Sequence, residues 1–231
     1  AQAMIMAGQV FVNYQLVKKS GEIHNLHSKV TVKNLNSKWV SRGALKLIFA
    51  INNFNIQIEN SICLDIGAST GGFTDVLLNY KAKKIFAVDV GYNQLHERLK
   101  KEKKVINLEK KNAKYLDKNI INEPIDLVVC DVSFISLKKV LKPSLKFIKK
   151  PNGVVVALIK PQFEANRNEI QRGGIVTDPA VHQRICNEIA QWFNEDCHLK
   201  TLGIIESPIK GPKGNIEFLI AAQNSIKEST N

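Results

Sequence analysis

The chain has 231 residues, 44% of them hydrophobic, with 33 Lys and Arg against 21 Asp and Glu, a formal net charge of +12. That length holds one sizeable α/β domain and a small appendage, and the charge points to a polyanion, either nucleic acid or an anionic membrane surface. No apolar run reaches the ~18 residues of a spanning helix, and the first residues lack a signal-peptide pattern, so a cytoplasmic protein is expected. Cys63, Cys130, Cys186 and Cys197 form no C-x-x-C pair, and the five histidines share no helix face. They read as reduced thiols and as no metal site.

Residues 4–37 read as a short basic module. Ala7 to Asn13 is a turn into a strand, Lys18-Lys19-Ser20-Gly21 is a turn, and Val30-Thr31-Val32 is another strand. Ser41 is predicted to cap a helix from Arg42 to about Asn53, with Ala44, Leu45, Ile48 and Phe49 on its apolar face. From there strand and helix patterns alternate. Strands are predicted at 62–66, 84–89, 105–108, 126–131, 154–160, 201–206 and 216–222, and helices at 72–80, 93–102, 136–149 and 179–194. Asp178 precedes Pro179, an N-cap followed by a proline at the first helical position. The alternation predicts an α/β fold, a Rossmann-like doubly wound parallel sheet, with the last strand antiparallel to the sixth. The domain boundary is set between residues 1–37 and 38–231.

The stretch from Cys63 to Thr74, CLDIGASTGGFT, is a strand, a glycine-rich loop and a helix start. Its spacing is G-x-x-x-G-G, neither the dinucleotide G-x-G-x-x-G nor a phosphate loop with Gly-Lys-Ser/Thr. Glycines let a ligand approach the backbone closely. The loop carries no basic residue and Asp65 sits at its edge, so a cationic ligand suits it. S-adenosylmethionine, with a sulfonium and an ammonium, fits. The candidate binding residues are Asp65, Gly67, Ser69, Gly71, Gly72 and Phe73. A plain strand-to-helix turn is the alternative reading. Asp89 ends the second strand, where a carboxylate receives ribose hydroxyls, or else caps a helix. Asn112 follows the third strand, placed for an adenine edge or as an ordinary loop residue.

Asp131 and Lys160 end the fourth and fifth strands, LVVCD and VVVALIK. Ligands of open α/β sheets sit outside the carboxyl ends of strands. A lysine ending so apolar a strand is partly desolvated and costly to place without a task. Either residue alone also reads as a strand-end charge that escapes into water.

Five ordered motifs match one family: SRGALKL at 41–47, the loop from Asp65 to Phe73, DLVVCDVSFIS at 126–136, IKPQFE at 159–164 and GPKGNIEF at 211–218. Together they resemble the TlyA (hemolysin A-like) ribosomal RNA ribose methyltransferases, relatives of the FtsJ-like enzymes. The resemblance implies a Lys-Asp-Lys-Glu catalytic tetrad, which by motif falls on Lys46, Asp131, Lys160 and Glu217. Lys46 and Glu217 come only from the resemblance; on spacing alone each reads as a surface charge. Residues 7–37 resemble the later part of the family's alpha-L RNA-binding module. The module's leading helical segment has no counterpart here, and Ala1 to Met6 read as a cut or foreign start.

The resemblance implies S-adenosylmethionine-dependent methyl transfer to ribose 2′-hydroxyls, with Lys160 as base and ribosomal RNA or a ribosomal subunit as partner. RNA contacts are expected from Lys18, Lys19, Lys29, Lys33 and Lys38, with Arg42, Arg167 and Arg172 nearer the site. Two other readings stand beside this one. They are a membrane-active hemolysin, which the family's older name suggests, and a noncatalytic RNA-binding protein with a vestigial methyltransferase fold. A nicotinamide oxidoreductase is disfavoured by the loop spacing.

Overall fold

Short apolar runs between turn residues become strands here, and amphipathic runs become the helices that cover them. The computed structural model describes residues 5, 10–13, 15–17, 19–25, 27–32 and 38–225. Near the N-terminus β1 (Val10–Val12) lies between β2 (Gln15–Leu16) and β3 (Val30–Val32), all antiparallel. Lys18 and Lys33 lie outside the described residues.

The rest forms one seven-stranded sheet. Its strands are β4 (Ile62–Ile66), β5 (Lys84–Val88), β6 (Val105–Leu108), β7 (Leu127–Cys130), β8 (Val154–Ile159), β9 (Leu199–Glu206) and β10 (Phe218–Asn224), in the order β6-β5-β4-β7-β8-β10-β9. The first five are parallel, and β10 is antiparallel to both its neighbours. The expected hairpin partner of the sixth strand is therefore also inserted beside the fifth. Strands β4 and β7 are buried along their whole length, as parallel strands covered on both faces must be.

Alternation along β4 divides the core. Ile62, Leu64 and Ile66 join one cluster with Leu137, Ile185 and Phe193, while Cys63 joins the other with Leu47, Val76 and Leu99. The first face is covered by α4 (Leu137–Leu141) and α6 (Pro179–Gln191), the second by α1 (Ala44–Phe54), α2 (Gly72–Asn79) and α3 (Glu97–Lys100). The short α5 (Pro161–Glu164) follows β8 directly.

Three expectations need correction. Helix α1 starts at Ala44 and has no side-chain cap, because Ser41 turns its hydroxyl toward Gly72 instead. The predicted helix 93–102 shrinks to Glu97–Lys100; Asn93 has φ +53°, and Glu109 takes the Gln94 and Leu95 N–H groups. The predicted helix 136–149 is α-helical only over Leu137–Leu141 and then tightens to a 3₁₀ turn over Lys142–Phe147. Pro143 has no N–H for the i−4 carbonyl, so the α ladder cannot pass it. Asp178 does cap α6, accepting from the Ala180 N–H with Pro179 in the first turn.

Candidate active site

The glycine-rich loop crosses the carboxyl end of β4. Gly67 has φ +81°, and a Cβ there would lie 2.5 Å from the Asp131 carbonyl oxygen, so only glycine fits. Gly71 has φ +97° and faces Leu99 of α3, where a Cβ would meet Cδ1 at 2.3 Å. Asp89 latches the loop from the side. Its Oδ2 accepts from the Ser69 N–H at 2.8 Å and its Oδ1 from the Gly91 N–H at 2.7 Å. Each oxygen keeps a further lone pair for a ligand.

Two hollows open around this loop. One of about 450 Å³ is lined by Gly67, Ser69, Asp89, Asn112, Asp131 and Phe134 among others. The other, about 210 Å³, is lined by Ser41, Gly67, Ser69, Phe73, Asp131 and Ser133 among others. They share Gly67, Ser69, Asp131 and Ser133, so they form a continuous cleft with Asp131 at the junction. Such volumes suit a small-molecule cofactor. A larger hollow of about 690 Å³ beside Trp39, Asn55 and Tyr80 lies among residues at the far ends of α1 and α2, away from every charged strand end just described.

Beyond Asp131 a chain of ion pairs leads away from the cleft. Lys160 Nζ lies 2.5 Å from Asp131 Oδ1 and donates to Ser133 Oγ at 3.0 Å. Lys46 Nζ lies 3.5 Å from Asp131 Oδ2 and 2.6 Å from Glu217 Oε2. Topology explains the convergence. Strands β7 and β8 are parallel and deliver Asp131 and Lys160 at their carboxyl ends. Strand β10 runs the other way, so the residue before its first, Glu217, reaches the same end. Lys46 comes in from the first turn of α1. Lys46, Lys160 and Glu217 are 7%, 7% and 1% exposed, and isolated charges so buried would be prohibitive. Two ammoniums and two carboxylates compensate one another. Burial alone would raise the Asp131 carboxyl, but the Lys160 and Lys46 ammoniums hold it below the usual carboxylate range.

The remaining sequence candidates fall in three places. Gly67, Ser69, Gly72, Phe73, Asp89 and Asn112 line the cleft. Asn112 also caps a 3₁₀ turn, its Oδ1 accepting from the Lys114 N–H at 3.0 Å. Gly71 faces α3 rather than the cleft. Asp65 is fully buried beneath the floor, because it lies inside β4 and points toward α2. Thr74 Oγ1 donates to its Oδ2 at 2.6 Å, while its Oδ1 has no hydrogen-bond partner. Burial pushes this carboxyl up to about 7, against the Thr74 hydrogen bond, and the charges of Asp131 and Asp89 add to the rise. Burial also pushes the Cys63 and Cys130 thiols up, which leaves them unreactive. Lys19, Lys29, Lys38, Arg42, Arg167 and Arg172 are exposed.

Sequence reasoning missed three residues. Phe134 is 91% exposed with φ +66° on the cleft wall, and its ring centroid lies 5.2 Å from that of Phe163. An aromatic after a strand reads as core, and only the loop conformation turns it outward. Ser133, which meets Lys160, carries no pattern signal. Glu164 Oε1 accepts from the Leu137 N–H at 2.6 Å and so ties the IKPQFE segment to the start of α4.

The model of the FtsJ-like methyltransferase family matches residues 39–224. The chain belongs to that family. Among its relatives, hemolysin A of Brachyspira hyodysenteriae is 44% identical over 95% of this chain and 90% of its own length. The 16S/23S rRNA (cytidine-2′-O)-methyltransferase TlyA of Mycobacterium tuberculosis is 39% identical over 95% of this chain and 82% of its own. A solved structure of a hemolysin-like protein from Streptococcus thermophilus superposes with a TM-score of 0.80 at 38% identity, covering 98% of this chain and 82% of that one. In this FtsJ-like chain the cleft and the ion-pair chain occupy one end of the family's sheet.

Proposed function

We propose that the protein transfers a methyl group from S-adenosylmethionine to a ribose 2′-hydroxyl of ribosomal RNA. The observation that carries this reading is the unbroken contact Glu217–Lys46–Asp131–Lys160, which opens at Asp131 onto the glycine-lined cleft. The relative from M. tuberculosis is named for a cytidine 2′-O reaction on ribosomal RNA, which gives the substrate class.

The cleft fits the cofactor. Gly67 leaves bare backbone where a Cβ would strike the Asp131 carbonyl, and Asp89 and Asp131 on the walls oppose the charge of a sulfonium and an ammonium. When bound, the cofactor supplies an electrophilic methyl group. Asp89 and Asn112 would hold the adenosyl end, with Ser41, Gly67 and Ser69 around the other. A ribose hydroxyl is a poor nucleophile and needs its proton taken. Lys160 Nζ is the base of this reading, and it acts only as the neutral amine, so the cluster first gives up one proton. Lys46 and Glu217 fix Asp131 from the other side and orient the ribose. Positioning of this kind contributes on the order of 7–11 kcal/mol at its best. Phe134 offers its exposed face to a base swung out of its stack.

The basic segment before residue 38 would serve as part of an RNA-binding module, and the partner would be ribosomal RNA or a ribosomal subunit. Among the described residues no helix is long and apolar enough to cross a membrane. A vestigial fold has no reason to keep three buried charges in register around a half-buried Asp131, which supports the catalytic reading over the noncatalytic one.

The test is incubation with labelled S-adenosylmethionine and separated ribosomal subunits, followed by mapping of the label. Label on a ribose 2′-oxygen is expected with the wild-type protein. Lys160→Ala should lose transfer while keeping its fold and most of its cofactor affinity. Absence of label on any ribose overturns the reaction, and near-normal turnover by Lys160→Ala overturns the base.

A further inference from the structure

Glu217 is held in an unusual way for a buried carboxylate. Its Oε2 meets Lys46 at 2.6 Å, but its Oε1 is buried and has no hydrogen-bond partner. The Lys46 ammonium at Oε2 therefore holds the carboxylate by hydrogen bonding at one oxygen alone, and Oε1 is positioned by packing. Gly211 lies against that oxygen. A Cβ built there would stand 2.1 Å from Oε1, 2.7 Å from Cδ and 3.3 Å from Cγ. The carboxylate rests on a bare Cα.

The backbone of Gly211 does not need glycine. Its φ is −69° and its ψ −178°, extended values that any residue adopts. This separates it from Gly173, Gly174 and Gly214, which have positive φ and open space or only a lysine tip where a Cβ would go. Nor can Gly211 move aside. Its N–H donates to the Asn215 carbonyl at 2.9 Å, and its own carbonyl accepts from Gly214 at 3.2 Å. Asn215 is 3% exposed and pinned in turn. Its Oδ1 accepts from the Val176 N–H at 3.1 Å and its Nδ2 donates to the Gly174 carbonyl at 2.9 Å. His182 Nε2 sits 3.0 Å from the Val176 carbonyl and braces that segment from α6. The wall behind the carboxylate is fixed.

We infer that Gly211 is a positioning residue for the methyl-transfer site: its missing side chain forms the seat that holds the Glu217 carboxylate against Lys46. Any larger residue pushes the carboxylate off its seat, and Lys46 is then left without the partner that sets its reach to Asp131. The catalytic half of this inference rests on the methyltransferase reading above, whereas the seat itself does not.

A double-mutant cycle tests both halves. Gly211→Ala and Glu217→Ala are made singly and together, and each is measured for thermal midpoint and for single-turnover methyl transfer. Gly211→Ala alone is expected to lower the midpoint by about 2–4 °C or more. Its transfer rate should fall on the order of 10–100-fold at unchanged cofactor affinity and unchanged KM for RNA. In the Glu217→Ala background, where no carboxylate remains to displace, Gly211→Ala should change neither quantity. If Gly211→Ala does not fold, Gly211→Ala with Glu217→Asp removes one methylene from the clash and should fold again. The seat is overturned if Gly211→Ala is silent in the wild-type background, if its cost is undiminished beside Glu217→Ala, or if shortening Glu217 does not restore folding. Should the wild-type protein transfer no methyl group, the functional reading fails, and the midpoints alone still decide the seat.

Discussion

Asp65 has no exposed surface and one hydroxyl donor, with two further carboxylates above it. Its folded value of about 7 lies above the ~3.9 of an unfolded aspartate. Between those limits the folded state binds the extra proton, so this residue's contribution to stability falls as pH rises, and the penalty is complete above about 7. Asp65→Asn keeps the acceptor for Thr74 and removes the titration. The thermal midpoint of the variant should therefore gain on the wild type as pH rises from 4 through 7, by the equivalent of a few kcal/mol. A difference that stays level across that range would show that Asp65 titrates as an ordinary carboxylate. Asp89 acts by another route. Asp89→Ala leaves the Ser69 and Gly91 N–H groups without their acceptor and frees the glycine loop. S-adenosylmethionine affinity by calorimetry should fall by about 1–3 kcal/mol, and Asp89→Asn, which keeps one acceptor, should fall less.

At the scale of elements, two loops that carry the site are joined by Glu164, through the Leu137 N–H at the start of α4. Ser136 supplies no side-chain cap of its own there. Glu164→Ala should cost about 0.5–2 kcal/mol, the usual worth of a helix cap, measured by urea unfolding. It should also slow methyl transfer, since Asp131 and Lys160 sit on the two loops that come apart. The same elements show what the sequence can say. Strand ends are legible: apolar runs such as LVVC and VVVALI stop at Asp131 and Lys160, and a charge at such a point has little choice of place. Lys46 is not legible by pattern, because a lysine in the first turn of a helix normally faces water. Glu217 is hidden for a different reason. Its position depends on β10 entering between β8 and β9 in antiparallel register, which no local periodicity encodes. Both come only from likeness to a family. A residue one short of the strand end reads as the end itself, which is why Asp65 is expected on the cleft wall and found beneath it. Helix 136–149 reads too long because the apolar spacing around Pro143 outweighs the proline.

Across the whole molecule the excess of cations predicts an RNA affinity set largely by phosphate contacts. Affinity for ribosomal RNA should fall linearly on a log–log plot against salt. Replacing Arg167 and Arg172 by Gln should lower the slope by about one unit for each phosphate no longer neutralised, with cofactor affinity unchanged. A slope unaltered by the double substitution would move docking to another face.

The antiparallel last strand also sets an order in time. Lys46 and Glu217 are separated by 171 positions, and the contact between them closes only when β10 slots between its two neighbours. Until then the pocket holds two ammoniums against a single carboxylate, an excess of charge that resists burial. Long-range pairing of this kind is slow. During synthesis the growing chain can therefore build its glycine loop and most of its sheet yet have no complete active site. On the reading proposed above, the cluster is complete only when β10 both neutralises it and joins β8 to β9. On that reading, a molecule in which β10 has not yet paired transfers no methyl group.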